Sequence, residues 1–410
     1  MFHICFESII YCSLHVENYS YYSIIDNIRL SVVNMIKKIV VAPDKFKSTI
    51  SSKRICEIIK EVINKKIPQC EVISIPLCDG GKGSLECFVS LFHGTIKKVY
   101  TYDLTLKKKE VQIGLFNNSE TVFIEAAQCA GQDLLKNNEC MTTSMYGIGL
   151  LLNYAAKLSC KNVIISFGDT CTNDAATGIA VGVGIKFYNS ENKEFLPTGA
   201  TLKDITKIDY SQINPKIKNL NIIVLYDGEL PMYGEFGSAK LTGKQKGASD
   251  QEIEILDYGL KNIAELIKND IGIDIEGDKY GGASGGAIGG MKGFFSAKCF
   301  LGIDYLLEKI HFENYILDAD LVITGEGRID NLTLLGKTVF GVAKYCKNNN
   351  VPLLALAGEI TIDNQILNQN GITFAFSINN KPYDHLVNSQ ESEKDLADTL
   401  ENILKIYELL

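Results

Sequence analysis

Four short segments of the chain combine carboxylates, cations and glycines. APDKFK carries Asp44, Lys45 and Lys47; CDGGKGS carries Asp79 and Lys82; GDTCTND carries Asp169, Asn173 and Asp174; TGEGRID carries Glu326, Arg328 and Asp330. Aspartate and glycine also favour turns, so each segment alone reads equally as an ordinary loop. Together they hold the parts that phosphoryl transfer needs: cations on the phosphates, carboxylates for Mg2+, and a carboxylate to take the acceptor's proton. Lys47, Lys246 and Arg328 could supply the first, and Asp44, Asp79, Asp174, Glu326 and Asp330 the others. The glycines point the same way. Gly80, Gly81 and Gly83 in the second segment, and Gly282, Gly285 and Gly286 in GGASGGAIGG, would let backbone N–H groups approach an anion. Tight helix packing is the other reading of the later run. GKT at 336–338 falls short of a Walker A motif because position 331 is Asn331, and no G-x-G-x-x-G follows the first strand.

These segments need a scaffold, and the apolar pattern supplies one. Ile39-Val40-Val41-Ala42 is a continuous apolar run of the kind that forms a buried parallel strand. Ile55, Ile58, Ile59, Val62 and Ile63 follow at helical spacing behind Ser51 or Ser52 as N-cap, and Val72 to Pro76 is the next strand. The same grammar returns late: Leu321 to Ile323 as strand, Gly336 to Lys347 as helix, Leu353 to Ala357 as strand. Val163 to Ile165 and Ile222 to Val224 add strands in the middle, and Leu396 to Leu410 reads as a packing helix. Each polar segment follows one of these strands, and ligands of open α/β sheets bind at the carboxyl ends of strands. The expected fold is therefore α/β: an open parallel sheet built from 35–85 plus 292–410, with a second α/β domain inserted at 86–291.

The chain has 410 residues, enough for two or three domains at ~100–200 residues each. It is 46% hydrophobic and 22% charged, which supports a large core and argues against disorder. A net charge of -8 argues against a general nucleic-acid binder. No apolar stretch is long enough to suggest a membrane span. The 12 cysteines form no C-x-x-C and the five histidines are scattered, which fits reduced thiols, a cytoplasmic location and no zinc site.

The blocks KIVVAPDKFK, PLCDGGKGS, TTSMYGIGLLL, TNDAATGIAVGVGIKF, GKQKGAS, GASGGA and the long stretch from Asp318 to Ile360 resemble, in order, those of the bacterial-type glycerate kinase family. The resemblance runs from about 36 to 378. It implies ATP-dependent phosphorylation of D-glycerate with Mg2+, on a Rossmann-like domain carrying an insertion, and 2-phosphoglycerate rather than the 3-isomer as product. Small-molecule substrates are the implied partners. The family's motifs fall on Asp44, Phe46 and Lys47, on Asp79 to Gly83, on Thr172 to Asp174, on Gln245 to Ala248 and on Gly325 to Asp330. On this reading Asp174 or Asp330 is the base, Arg328 and Lys47 clamp anions, and Asp79 lies near the metal.

The sequence also departs from the family. Lys82 stands where relatives carry glutamate, and Asp169, Ala175, Ala176, Leu230 and Leu332 are further changes. Lys82 then needs a compensating acid, and Asp169 is the expected partner. The departures keep two rival readings open: a member with weakened or lost turnover that binds nucleotide or an organic acid, and a kinase for another small hydroxy acid. Glu326, Arg328 and Asp330, at spacing two, are expected in a loop after the late strand, pointing to one side.

Residues 1–34 carry Tyr11, Tyr19, Tyr21 and Tyr22 and lack a clean period, so they read as an extension ahead of a start at Met35; an ordinary N-terminal helix is the alternative. A chain starting at Met35 is expected to fold with an unchanged melting temperature, measured by calorimetry. A large loss would make the extension part of the core.

Overall fold

The computed structural model describes residues 36–46, 49–134, 140–331, 333–379 and 389–409. The N-terminal extension, Met35, Lys47 and Leu332 lie outside the described residues.

The chain opens with strand β1 (Lys38–Val41), helix α1 (Ser52–Lys66) and strand β2 (Glu71–Ser74). Ser51 caps α1, its side chain accepting the Arg54 N–H, and the stripe Ile55, Ile58, Ile59, Val62 and Ile63 is buried. Helix α2 (Ser84–Leu91) leads into the middle of the chain, which supplies β3 (Thr95–Tyr102), β4 (Lys108–Phe116), β5 (Thr121–Glu125), α3 (Tyr146–Lys157), β6 (Asn162–Ser166) and α4 (Thr177–Gly182). A small antiparallel sheet of β7 (Lys186–Tyr188), β8 (Glu194–Phe195) and β9 (Lys207–Asp209) follows. Next come β10 (Asn221–Tyr226), α5 (Asp250–Leu266), α6 (Ala287–Phe295) and β11 (Lys298–Leu301). The chain ends with α7 (Gly302–Lys309), β12 (Leu321–Ile329), α8 (Thr338–Asn349), β13 (Leu353–Ile360), β14 (Phe374–Ser377) and α9 (Ser389–Leu409).

Two larger sheets result. One is wholly parallel, in the order β14-β13-β12-β1-β2. The chain winds outward from β1 to β2, then returns to the other side of β1 and continues through β12 to β14. The order therefore reverses between β1 and β12, which makes that junction the switch point of the sheet. The second sheet runs β11-β10-β6-β5-β4-β3, parallel through β5 and antiparallel beyond it. Because β11 pairs with β10, this sheet continues past residue 291, the expected end of the insertion. β11 alternates exposed and half-buried positions and has only the short run Cys299 to Leu301 between Lys298 and Gly302, a weak strand signal. β12 and β13 run longer than their apolar cores, to Ile329 and Ile360.

Period-two alternation splits β1 between two cores. Ile39 and Val41 face α1 and α9, together with Leu396, Leu400 and Leu404. Val40 and Ala42 face the other way, with Ile303 and Leu306 of α7 and Val339 and Val342 of α8. This second core also contains Phe123, Ile164 and Leu225 from the six-stranded sheet, so the two sheets share one apolar cluster.

Ala175 and Ala176 are fully buried at φ 49° and 58°, so their methyl groups sit in the left-handed region. Relieving that strain with glycine would gain ~1–2 kcal/mol. Loss of the buried methyl costs about 0.8 kcal/mol, and the freer unfolded chain costs about 0.5–1 kcal/mol. Ala176→Gly should therefore be nearly neutral in urea denaturation. Ala176→Val, which puts a branched side chain at positive φ against Gly290, should lose about 2–4 kcal/mol. A neutral valine variant would mean the backbone at 176 is not constrained as described.

Candidate active site

The carboxyl ends of both sheets meet around a cleft of about 730 Å3. Asp44 lies at its floor, just past β1 at the switch point, and its N–H donates to the Gly325 carbonyl of β12 (2.9 Å). The side chain is 4% exposed. Its Oδ2 accepts from Thr338 Oγ1 at the start of α8 (2.7 Å), and its Oδ1 from the Lys45 N–H (2.6 Å). Burial, reinforced by the nearby Asp79 carboxylate, pushes the Asp44 carboxyl up to about 7. Glu326, in β12, is 7% exposed and its Oε1 has no hydrogen-bond partner. Burial pushes its carboxyl up to about 8 against the pull of Lys337, with Asp44 and Asp79 adding to the rise.

Two lysines balance these acids. Lys45 Nζ reaches Asp169 Oδ2 (2.9 Å) and the Lys82 carbonyl. Burial alone would lower its ammonium, but Asp169, Asp79 and Asp44 hold it above the ordinary lysine value. Lys337, immediately before α8, is governed likewise: burial opposes its charge, and Asp79, Asp227, Glu326 and Asp169 overcome that. Sequence reading left both lysines without a role. Lys337 carried a usable signal, since Gly336 and Thr338 bracket it at the start of a helical pattern that GKT already marked.

The glycine loop after β2 is closed by acids of the chain itself. Its amides do approach anions, but those anions belong to the protein. Gly81 N–H donates to Asp79 Oδ1 (3.0 Å) and Lys82 N–H to Asp169 Oδ2 (3.0 Å). Gly83 and Leu85 N–H both donate to Glu125 Oε2 at the end of β5 (3.0 and 2.9 Å). Gly83 has φ 93°, a conformation that leaves glycine the natural choice ahead of α2. Glu125 is 5% exposed; burial raises its carboxyl, and the two amides and Lys45 work against that rise. It is a residue the sequence reading missed, one acid at the end of a strand that reading did not place. Gly80 is packed against Leu225 and Gly302, where the two sheets touch.

The expected pairing of Lys82 with Asp169 is corrected. Lys82 Nζ pairs with Asp133 at the cleft rim (2.7 Å), both side chains more than half exposed, while the Asp169 carboxylate takes Lys45 and only the backbone N–H of Lys82. Asp169 adopts φ 60°, which turns its side chain back toward the loop.

Other expected residues are placed away from the floor of the cleft. Asp174 is fully buried; its Oδ2 accepts from Met145 N–H (2.7 Å) and Gly178 N–H (3.2 Å), tying together the starts of α3 and α4. Burial raises its carboxyl to about 6, and those amides hold it down. Asn173 is buried beside it with both side-chain polar atoms unpartnered, and Lys246 Nζ donates to the Thr172 carbonyl (2.9 Å). Burial lowers the Lys246 ammonium. Gly282, Gly285 and Gly286 back onto the Pro231 carbonyl, the Thr172 carbonyl and Leu260, where a Cβ would collide, so this run serves close packing. Arg328 and Asp330 differ from the expected loop. Arg328 lies within β12 and, 56% exposed, pairs with Asp330 and with Glu359 of β13 (3.3 Å each). Asp330 Oδ1 accepts from Thr333 N–H (3.2 Å), and Thr333 Oγ1 accepts from the Asp330 N–H (3.1 Å), a turn staple. Lys47 lies outside the described residues.

Among the described residues no three His, Cys, Asp or Glu side chains converge as a metal cage, and no helix is long and apolar enough to cross a membrane. The cysteines among the described residues are free thiols.

A family model described as "Glycerate kinase family" matches residues 39–408. A glycerate kinase of Haemophilus influenzae is 32% identical over 372 residues, covering 90% of this chain and 98% of the relative. A glycerate 2-kinase of Escherichia coli K12 is 32% identical over 344 residues, covering 83% and 90%. A crystal structure from Salmonella typhimurium LT2, assigned as glycerate kinase 2, superposes with a TM-score of 0.76 at 29% identity, covering 90% of this chain and 98% of that one.

The raised carboxyl of Glu326 has a consequence for stability. An acid raised in the folded chain keeps its proton where the unfolded chain has lost it, so stability falls as pH climbs from the ordinary 4.5 towards about 8. Glu326→Gln removes that loss. Its melting temperature should match the parent at about pH 5 and exceed it at about pH 9, by roughly 1–2 °C for each kcal/mol recovered in a chain of 410 residues. Equal melting temperatures at both pH values, read by calorimetry, would mean Glu326 ionises freely.

Proposed function

The chain belongs to the glycerate kinase family, and from that premise we propose that its cleft transfers the γ-phosphoryl group of ATP to the 2-hydroxyl of D-glycerate. The observation that carries the assignment of roles is Asp44. It is a buried carboxyl at the switch point, raised to about 7, lining the cleft and flanked by a lysine. A general base works best with a pKa near the operating pH. In the proposed reaction the glycerate oxygen forms the new bond to phosphorus. The bond from phosphorus to the β–γ bridging oxygen breaks, its electron pair leaving on ADP, and the hydroxyl proton passes to Asp44.

Lys45 screens the negative charge brought by the nucleotide, and Glu125 and Asp169 hold the glycine loop in place for it. Mg2+ fits here as part of the nucleotide complex, since it is commonly held by one or two carboxylates plus substrate phosphates, and Asp79, beside the proton acceptor, would offer such a carboxylate. When bound, the ion neutralises phosphate charge. Asp174 and the Arg328–Asp330 pair support the fold around the site in this reading, and the proton acceptor moves from them to Asp44. The two sheets act as two lobes closing on the substrates, the inserted lobe extending to β11. The cytoplasm suits the free thiols.

The test is ADP release with D-glycerate, tartronate and other small hydroxy acids, with the product read by phosphorus NMR. D-Glycerate should be preferred and 2-phosphoglycerate formed. Turnover should rise with pH through about 7 and then level. Asp44→Asn should cut it by ~10²-fold or more without lowering the melting temperature. Preference for another hydroxy acid would overturn the substrate, and a fully active Asp44→Asn would overturn the base.

A further inference from the structure

We propose that Lys337 and the first turn of α8 grip the phosphoryl group as it passes from nucleotide to acceptor, making Lys337 a catalytic residue. The inference rests on the phosphoryl-transfer reading above and assigns one part of that site. Three features place the grip there. First, α8 is a 12-residue helix whose first-turn amides receive no side-chain cap, and Lys337 stands at its N-cap in an extended conformation. Uncapped amides and the helix dipole favour an anion at such an end. Second, the helix begins against a residue that lines the cleft: Thr338 is fully buried and its Oγ1 donates to Asp44. An anion on the first turn is therefore next to the proposed proton acceptor. Third, Glu326 is 7% exposed, yet its Oε1 has no hydrogen-bond partner, and the charge of Lys337 acts on it. Buried polar atoms are almost always satisfied, so this oxygen calls for a ligand bearing a donor or a cation. An acceptor hydroxyl or the nucleotide's metal ion, arriving beside a phosphoryl group on Lys337, meets that demand.

Acids of both sheets also surround the ammonium. Its carboxylate neighbours come from the ends of β2 (Asp79), β6 (Asp169), β10 (Asp227) and β12 (Glu326). Lys45, by comparison, is engaged with Asp169 and the Lys82 carbonyl. The turn before α8 is held for this purpose. Lys337 N–H donates to the Thr333 carbonyl (3.2 Å), and Thr333 is stapled to Asp330, which Arg328 pairs with. The late block of charged residues thus becomes the support of Lys337 rather than the reacting groups.

In the transfer, charge spreads over the three equatorial oxygens of the moving phosphoryl group. Lys337 and the α8 amides meet those oxygens while the acceptor oxygen bonds to phosphorus and ADP leaves with the bridging oxygen's electron pair.

The test uses the full chain with Lys337→Met and Lys337→Arg. Two readouts are taken: steady-state ADP release with glycerate, and calorimetric binding of ADP against a non-hydrolysable ATP analogue. Lys337→Met should lower kcat by about 10²-fold or more, leave the KM for glycerate within about threefold, and abolish the preference for the analogue over ADP. Lys337→Arg should restore part of both. If Lys337→Met fails to fold, the arginine variant decides: altered kcat and analogue preference support the grip, and parental values overturn it. Unchanged kcat and unchanged analogue preference in Lys337→Met also overturn it. A parent chain that binds the analogue through Lys337 but does not turn over glycerate would sink the glycerate reading and leave the grip standing.

Discussion

Lys45 is pressed between Asp169, Asp79 and Asp44, and that contact expresses the constraint on which the rest of the cleft depends. Carboxylates from the ends of several strands are gathered in one partly desolvated space. Left alone they would repel, and burial would neutralise them. Two lysines and a set of loop amides keep them within reach of one another. Where burial outweighs that compensation the carboxyls rise, to about 7 at Asp44 and about 8 at Glu326. The chemistry of the site follows from that uneven compensation rather than from any single residue type.

The compensation is possible only because the sheets are held in register with each other. Phe123, Ile164 and Leu225 of one sheet share an apolar cluster with Val40, Ala42 and Val322 of the other. At its edge Gly168 N–H donates to the Gly80 carbonyl (3.0 Å), and α7 starts against the Asp79 backbone. The loop that carries Asp79 and Lys82 therefore belongs to the first sheet by sequence and to both by packing. Glu125 makes the point in hydrogen bonds: an acid of the six-stranded sheet satisfies the amides that open α2.

The parallel sheet was legible because its strands are short apolar runs broken by polar turns. Ile39 to Ala42 and Leu353 to Ala357 could hardly be anything else. β11 was not legible, since Lys298-Cys299-Phe300-Leu301 has half its side chains in water and depends on β10 for its identity. The site was legible as a set of segments but less so as a set of roles. Asp44, Asp79 and Glu326 stood out because acids after strands are conspicuous. Asp174 looked equivalent, yet only the fold reveals that Met145 and Gly178 hold its Oδ2 while Oδ1 has no partner. Lys337 and Glu125 act through neighbours hundreds or tens of residues distant, and spacing carries no trace of such partners.

The charge reversal at Lys82 shows how the same logic separates a side chain from its backbone. Its N–H and carbonyl are both inside the network, the first on Asp169 and the second on Lys45. Its ammonium is outside, at the rim with Asp133, where solvent screens an ion pair to small net value. The loop is positioned by peptide groups, which every residue type supplies equally, and by glycines where the turn demands them. A cation can therefore stand in a loop whose relatives carry an anion without touching the acids on the cleft floor. What the position cannot tolerate is a change to its backbone: proline there would delete the donor to Asp169, remove one hold on that carboxylate, and leave Lys45 with a less well-fixed partner.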